Sequence, residues 1–300
     1  MRYVALLSFP MFLASPAFAG SPVPVDGVIS EPGDYYLTAD RTSVGPHNIK
    51  IEADNVDLNL NGFTVRCDPP NPATAADTYG IFASARNYLT IRNGAVTGCF
   101  MGVNVRTDTH NLTIRGVDFS GNTAMGVNAG GRNTEISDSI FADIGGYATE
   151  AYAVGINNPG PNCKILRNAF RNIHRQSGAP SHLLGEGVAV LFGANNTGCE
   201  ARHNWLENDE PDEGLSIGIW VGEAPNVTIS ENSVTNFAQG VAASAKSILM
   251  VTNNRFWMRT PKEASFAIGA DLGLASNNVI IGYDTPILNS IPTADNLILP

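Results

Sequence analysis

The sequence predicts an all-β protein that folds as a right-handed parallel β-helix, a solenoid of about eight to ten coils. Three segments, Asn162–Asn172, Gly198–Asn208 and Asn226–Asn236, align without gaps and share asparagines at the same positions. Each is followed by a second short strand-like piece that carries a glycine, and these glycines recur every 22 to 32 residues. A unit of this length cannot bury its apolar face alone, so the units are expected to stack. A β-sandwich and a propeller are the alternatives, but repeats this even favour the solenoid.

Residues 1–19 predict a secretory signal peptide. They contain one positive charge at Arg2, an apolar run and the pattern Ala17-Phe18-Ala19, which is typical of a cleavage site. We expect cleavage after Ala19 and a single β-helix domain over residues 20–300. The mature protein would then be secreted or periplasmic. No later stretch is long and apolar enough to predict insertion into a membrane.

The two-residue period of a strand predicts which side chains face the core. One inward ladder follows the glycines and comprises Val103, Val127, Ile156, Val188, Ile219 and Val241. The neighbours predicted to point outward are Asn104, Asn128, Asn157, Ala189, Trp220 and Ala242. A second inward ladder comprises Phe119, Phe141, Phe170, Leu206, Val234 and Phe256. The recurring turn asparagines, which include Asn168, Asn204 and Asn232, are expected to stack as hydrogen-bonded ladders.

The first coils carry a family resemblance. The segments Ile29–Asp40 and Asn48–Val65 resemble the opening coils of secreted β-helix proteins in the pectin-lyase-like superfamily. The resemblance covers nearly all of the chain after residue 19, and it implies the fold. Three catalytic motifs of the superfamily are absent: the paired aspartates of polygalacturonases, the Asp-Pro-His-Glu of alginate epimerases and the Arg-x-Pro-x-x-Arg of pectate lyases. The resemblance therefore implies no single named activity.

The four cysteines fit the stacking. Cys67 and Cys99 lie at the same offset from an Asn-Gly pair, and Cys163 and Cys199 coincide in the ungapped alignment. Equivalent positions on neighbouring coils are about 5 Å apart, which is within the Cα range of a disulfide. In an exported chain we expect the bridges Cys67–Cys99 and Cys163–Cys199, with pairs of free buried thiols as the alternative. No spacing of cysteines and histidines indicates a zinc site.

The formal net charge of −10 limits the partners of the protein. A chain this acidic repels nucleic acid and anionic membranes, so neither is expected as a partner. A negative ligand could bind only at a local basic patch. Between Glu150 and Glu186 there is no acidic residue, while the same interval holds three arginines, one lysine and two histidines. We therefore expect an anionic polysaccharide as the partner, and the oligomeric state stays open.

Three consecutive coils have long connections before the glycine-bearing strand. They are Gly145–Ala153, His174–Glu186 and Asp209–Ser216. Because successive coils stack, these loops are expected to form one wall that borders a solvent-lined concavity. The catalytic candidates in and beside them are His174, Arg175, His182, Glu186, Tyr152 and Arg171. The substrate-binding candidates are Lys164, Trp220, Asp209, Glu213 and Tyr147.

These residue types favour β-elimination on a uronic-acid polysaccharide. A cation would neutralise the uronate carboxylate and so lower the pKa of the neighbouring C–H group, and a histidine or tyrosine would remove that proton. The candidate cations are Arg171, Arg175 and Lys164, and the candidate bases are His174, His182, Tyr147 and Tyr152. Trp220 could stack on a sugar ring or lie beneath the loops.

The same residues also allow two other functions. Glu186 could act with Glu150 or Glu213 in a glycoside hydrolase that uses two carboxylates. The basic and acidic loops could also merely pair with each other on a non-catalytic module that binds a glycan or a protein. No cofactor is expected. Calcium is conceivable at the acidic loop 208–214, although that loop does not match the EF-hand spacing.

Overall fold

The computed structural model describes residues 20–68, 78–105, 108–145, 152–174, 187–209, 216–288 and 293–299. Across these residues the chain winds as a right-handed parallel β-helix, and every strand pairing is parallel. Ile114 and Ile136 lie in register in two parallel strands. An antiparallel pairing of these two residues would have contradicted the prediction. The predicted fold class is therefore confirmed. The predicted signal peptide, residues 1–19, lies outside the described residues.

Each coil contributes one strand to a front sheet, one to a middle ladder and one to a rear ladder. The front sheet has eleven strands in the described part of the chain, and the sequence estimate of eight to ten coils omits short strands at its ends. Its strands are Val28–Ile29, His47–Ile51, Tyr79–Ala83, Met101–Val105, Met125–Ala129, Ala153–Asn157, Gly187–Phe192, Ser216–Val221, Gln239–Ala243, Phe266–Gly269 and Thr285–Leu288.

The middle and rear ladders are joined because two long strands, Asn87–Thr97 and His110–Asp118, run through both of them. The other middle strands are Ser21–Pro22, Gly33–Tyr36, Val56–Asn59, Glu135–Ser137, Lys164–Leu166, Glu200–Arg202, Val227–Ser230, Ile248–Thr252, Leu272–Ser276 and Thr293–Ala294. The other rear strands are Arg41–Ser43, Thr64–Cys67, Ile140–Ile144, Ala169–Ile173, Trp205–Glu207, Ser233–Thr235, Arg255–Trp257, Val279–Ile281 and Leu297–Leu299.

The rear ladder supplies the largest core side chains. The rings of Phe119, Phe141 and Phe170 stack with centroids 5.0 and 4.9 Å apart. Register pairs continue this column through Leu206 and then through the next two coils. All six members of the predicted second inward ladder are fully buried, so that prediction is confirmed.

The front-sheet glycines leave room for these rings. A Cβ atom on Gly126 would lie 2.5 Å from the ring of Phe141, and one on Gly155 would lie 2.8 Å from the ring of Phe170. Real Cβ atoms essentially never approach another atom so closely. The coil whose rear position holds Leu206 instead has Ala189 at the equivalent front position. The glycine faces a phenylalanine ring at Gly102, Gly126, Gly155 and Gly240, whereas Gly218 faces Val234.

One coil of the front sheet departs from the predicted register. Aligning Gly187 with the other glycines places Val188 inward and Ala189 outward, and this is wrong. The structure pairs Val188 with Val154, so Ala189 belongs to the core and Val188 lies in a separate buried cluster outside the sheet with Val154 and Ile217. The cause is that the alanine replaces the marker glycine in this coil. The remaining predicted inward residues, Val103, Val127, Ile156, Ile219 and Val241, are all in the core.

The turn between the middle and rear ladders contains a continuous asparagine ladder. Asn204 donates from its backbone N–H and from Nδ2 to Oδ1 of Asn232, at 2.9 and 3.0 Å, and Asn232 donates in the same way to Asn254. The same bonds begin at Asn168 and continue through Asn278 to Asn296. Because each asparagine satisfies backbone groups that the turn would otherwise bury without partners, the predicted stacking is confirmed.

Both predicted disulfides are present. The Cα atoms of Cys67 and Cys99 are 4.9 Å apart, and those of Cys163 and Cys199 are 4.5 Å apart. Each bridge joins two successive coils, as the alignment of the cysteines predicts. The bridges therefore fix the stacking register at two places along the solenoid.

Candidate functional site

Strand ends position the three long connections that the sequence singled out. Each connection leaves the end of a rear strand and enters the front strand of the next coil, and the flanking strands are in register. The connections thus begin and end side by side, as expected. Several candidates in them lie outside the described residues, namely Tyr147, Glu150, Arg175, His182, Glu186 and Glu213. Their roles stay predictions.

Three predicted residues lie where the rear strands end. Arg171 is exposed in the strand Ala169–Ile173, and His174 is the exposed residue that follows it. Asp209 lies at the equivalent edge one coil further on, where Nδ2 of Asn172 donates to its carboxylate at 3.1 Å and its own N–H donates to Oδ1 of Asn172 at 3.1 Å. Nδ2 of Asn172 also donates to Asp143. One asparagine therefore ties three successive coils together beside Arg171 and His174.

The position of His174 is set by two hydrogen bonds. Its backbone N–H donates to the carbonyl oxygen of Ile144 at 3.1 Å, and its ring Nδ1 lies 3.0 Å from the carbonyl oxygen of Asn172. A carbonyl oxygen only accepts, so in this contact Nδ1 carries the hydrogen. In the neutral ring the lone pair is then on Nε2, which is the arrangement that a general base needs.

Two other predicted residues lie on the outer face of the front sheet. Tyr152 and Trp220 are both half-buried, and both pack against the outer cluster that contains Val154, Val188 and Ile217. Trp220 has Leu191 and Ala242 as its register neighbours. Its ring is therefore part of an apolar surface, and only a fraction of it is left for a ligand.

Lys164 lies in a different place. It is an exposed residue of the middle ladder, and its register neighbours on either side are Glu135 and Glu200. It shares a shallow depression with Glu200 and Thr228, next to the disulfide of Cys163. The structure therefore separates Lys164 from Arg171 by the turn between two ladders, although the sequence groups them in one basic patch.

A row of aromatic and charged side chains that was not predicted from the sequence lies on the outside of the rear ladder. We call it the rear strip and define it as Arg171, Trp205, Glu207, Arg255, Trp257 and Arg259. The guanidinium carbon of Arg171 is 4.5 Å from the ring centroid of Trp205. Those of Arg255 and Arg259 are each 5.4 Å from the ring centroid of Trp257. These three distances are within the range of cation–π contacts. Arg259 also forms an ion pair with Glu207.

The alternation of the rear strands could have revealed this strip. Leu206 and Phe256 are predicted inward from the repeats, so the residues on either side of them must point outward. These outward residues include both tryptophans, which remain 37% and 36% exposed. Functional candidates can therefore lie within strands as well as in long loops.

Two side chains have clearly shifted pKa values that arise from contacts with a structural role. The Arg167 guanidinium hydrogen-bonds to Asp138 and so lowers the pKa of that carboxyl group. Burial raises the pKa of Tyr283, whose hydroxyl donates to the carbonyl oxygen of Phe237. The first pair links two turns and the second anchors a core side chain, so neither indicates acid–base chemistry.

The parts of the chain that the structure describes contain no group of three or more histidine, cysteine, aspartate or glutamate side chains that could hold a metal ion. They also contain no helix with the length and apolar character needed to cross a membrane.

Solved structures share the coil geometry of this protein. The Dettilon tailspike protein superposes with a TM-score of 0.66 at 14% identity, over 91% of this chain and 59% of that one. The tailspike protein of E. coli bacteriophage HK620, solved in complex with a pentasaccharide, gives 0.52 at 13% identity over 90% and 55% of the two chains. The alginate lyase from Paenibacillus sp. str. FPU-7 gives 0.52 at 11% identity over 89% and 92%.

The chain is a right-handed parallel β-helix of the pectin-lyase-like fold. This β-helix spans a little more than half the length of the two tailspike structures that it matches. No protein-family model and no curated protein matches its sequence. At these identities the likeness establishes the fold of the β-helix, and its chemistry has to be argued from its own side chains.

Proposed function

We propose that the protein binds an acidic polysaccharide and cleaves it by β-elimination. The observation that carries the proposal is the placement of Arg171 over the partly exposed ring of Trp205, in the strand that His174 directly follows at the loop-bearing edge. An aromatic ring offers an apolar face to a pyranose, and an arginine pairs well with a carboxylate. The three side chains thus combine a sugar platform, a carboxylate partner and a base.

The chemistry can be written from these side chains. The Arg171 guanidinium pairs with the carboxylate of a uronate residue and withdraws electron density from it, so the C5–H bond becomes more acidic. Nε2 of His174 removes the C5 proton. The electron pair of that C–H bond forms the C4–C5 double bond as the C4–O bond of the glycosidic linkage breaks. The departing oxygen takes up a proton, and the products are an unsaturated uronate and a new chain end.

The surroundings hold these groups in place. Asn172, which lies between Arg171 and His174, is fixed by its bonds to Asp143 and Asp209. The Trp205 ring beneath Arg171 restricts the orientation of the guanidinium. Preorganised groups stabilise developing charge without a cost of reorientation during the reaction. Four further candidates belong to the connections that follow this edge in the sequence, namely Arg175, His182, Glu186 and Tyr147. Their part in the proposal rests on the sequence alone.

The disulfides support a location outside the cytoplasm. Two bridges link successive coils, and such bridges persist in oxidising surroundings. Together with the signal peptide predicted over residues 1–19, this supports secretion or a periplasmic location. A polysaccharide substrate outside the cytoplasm is consistent with that assignment.

Replacing His174 with alanine is expected to lower turnover about a hundredfold, because a positioned general base contributes about that much. Thermal stability should hardly change, since the side chain is exposed. The assay follows the absorbance of the unsaturated product on a panel of uronic-acid polysaccharides. His203→Ala is the matched control, since His203 is an exposed histidine in the turn between middle and rear ladders. We expect the same loss for Arg175→Ala and His182→Ala.

Each other outcome of the assay has a definite meaning. Full activity of His174→Ala on a substrate that the parent cleaves would exclude His174 as the base. New reducing ends without absorbance would instead indicate the two-carboxylate hydrolase that uses Glu186 with Glu150 or Glu213. Binding without any product would indicate a non-catalytic module.

A further inference from the structure

We propose that the rear strip is an extended binding surface on which a carboxylate-bearing polysaccharide lies along the β-helix axis, from Trp257 to Trp205. This inference rests on the proposed function, because it describes how the same substrate would be held beyond the reacting sugar. It adds binding residues, above all Trp257 and Arg255, that take no part in the chemistry.

The exposure of the two tryptophans is not required by the core. In the strands Trp205–Glu207 and Arg255–Trp257 the central residues, Leu206 and Phe256, are fully buried and fill the inward ladder. Trp205 and Trp257 lie on the opposite side of these strands, and each leaves more than a third of its surface in solvent. Tryptophan is enriched at binding interfaces, because its ring combines a large apolar body with a polar N–H group.

The spacing of the two rings suits a sugar chain. Trp205 pairs in register with Ser233 and Ser233 with Arg255, and in the same way Thr235 lies between Glu207 and Trp257. The tryptophans are therefore two strand spacings, roughly 10 Å, apart along the axis and two residues, roughly 7 Å, apart along the strand direction. The axial component is comparable to the advance of two pyranose rings in a polysaccharide. In the coil between them Ser233 is half-buried and Thr235 is buried, and the ion pair of Arg259 and Glu207 spans this coil.

The charge of the strip selects an anion. Among the rear strands from Ala169 to Leu299, all of which are described, Glu207 is the only acidic residue, and Asp143 and Asp209 lie at the adjoining edge, where both bond to Asn172. The side chain of Glu207 is 13% exposed and is already paired with Arg259. Arg171 and Arg255 are left with aromatic contacts, so the strip is cationic in a chain whose net charge is −10. Guanidinium groups bind carboxylates with two parallel hydrogen bonds.

The same charge argues against a second copy of the chain as the occupant. A two-fold interface brings one patch against itself, so the arginines of one rear strip would face the cationic strip of the other copy. A uronate polysaccharide instead supplies a carboxylate to each arginine and an apolar sugar face to each ring. The geometry thus favours the glycan over self-association.

The test is titration of polygalacturonate and alginate chains into the purified protein, with affinity measured by calorimetry. Trp257→Ala is expected to weaken binding about tenfold, since a stacking contact reinforced by nearby cations contributes about that much. Arg255→Gln should weaken binding severalfold and make the affinity less dependent on salt. Met250→Ala is the matched control, because Met250 is 51% exposed in the same coil but on the middle ladder, and it should bind as the parent does.

The possible results separate this inference from the proposed function. If Trp257→Ala and Arg255→Gln both bind as the parent while the parent still releases unsaturated product, the strip is overturned and the elimination stands. If binding falls as expected but no product forms, the strip stands and the elimination is overturned. Equal binding of a neutral glucan, unaffected by Arg255→Gln, would overturn the assignment to carboxylates. A dimer in sedimentation that Trp257→Ala dissociates would show that the occupant is a second copy. If Trp257→Ala does not fold, Arg255→Gln decides alone.

Discussion

Replacing Asn232 with alanine is expected to lower the free energy of unfolding by about 3–5 kcal/mol, because several buried groups lose their partners together. Asn232 is 2% exposed. Its Oδ1 accepts from the N–H and Nδ2 of Asn204, and its Nδ2 donates to the carbonyl oxygen of Ala201 at 2.9 Å and to Oδ1 of Asn254. Alanine leaves the Asn204 N–H buried without this partner, removes one of the two bonds of Asn204 Nδ2, which still donates to the carbonyl oxygen of Ile165, and removes the bond to the carbonyl oxygen of Ala201. Urea-induced unfolding, followed by circular dichroism, measures the loss.

Asn128→Ala is the control for this prediction. Asn128 belongs to a second ladder on the front sheet, where it exchanges single side-chain bonds with Asn104 and Asn157 and is only half-buried. Its removal should cost about 1 kcal/mol or less, because solvent can replace the lost partners. Equal losses at Asn128 and Asn232 would contradict the role that we assign to burial and backbone satisfaction.

Removing the Cys163–Cys199 bridge by a double alanine substitution should cost about 3–4 kcal/mol of unfolding free energy. The bridge closes a loop with a sequence separation of 36 residues, and opening it gives the unfolded chain more conformations. The Cys67–Cys99 bridge, with a separation of 32, should contribute nearly the same amount, because the entropy depends on the logarithm of loop length. Unfolding curves of the two double variants test this directly. A difference of several-fold between them would refute the chain-entropy explanation.

The sequence predicted the stacking because the repeats obey simple geometric rules. The ungapped alignment of Asn168, Asn204 and Asn232 placed equivalent residues on neighbouring coils, and the cysteine pairs followed from the same alignment. The register failed only where this rule was interrupted. After the long connection before Gly187 there was no constant spacing to follow, and Ala189 occupies the position that is glycine in the neighbouring coils. The position that carries the small residue becomes visible only when the coils are closed.

The candidate site was harder to predict. Sequence distance groups Lys164 with Arg171, but the turn between the ladders sends them to different faces of the solenoid. Conversely, Arg171, Trp205 and Trp257 are far apart in sequence, and they come together because they occupy neighbouring rungs of one ladder. A list of charged residues in long loops cannot reveal this, whereas the outward positions of the aligned repeats could have done so.

The asparagine ladder also has an electrostatic consequence. From Asn168 to Asn278 each Nδ2 donates to Oδ1 of the asparagine in the following coil and also to a backbone carbonyl oxygen of the preceding coil. The amide-to-amide bonds therefore run in one direction along the solenoid axis, and amides linked in such a chain polarise one another. The chain of amides ends at Asn296, whose Nδ2 donates back to the carbonyl oxygen of Ala275. This uninterrupted line gives the all-β molecule a direction along its axis in addition to the direction of its strands.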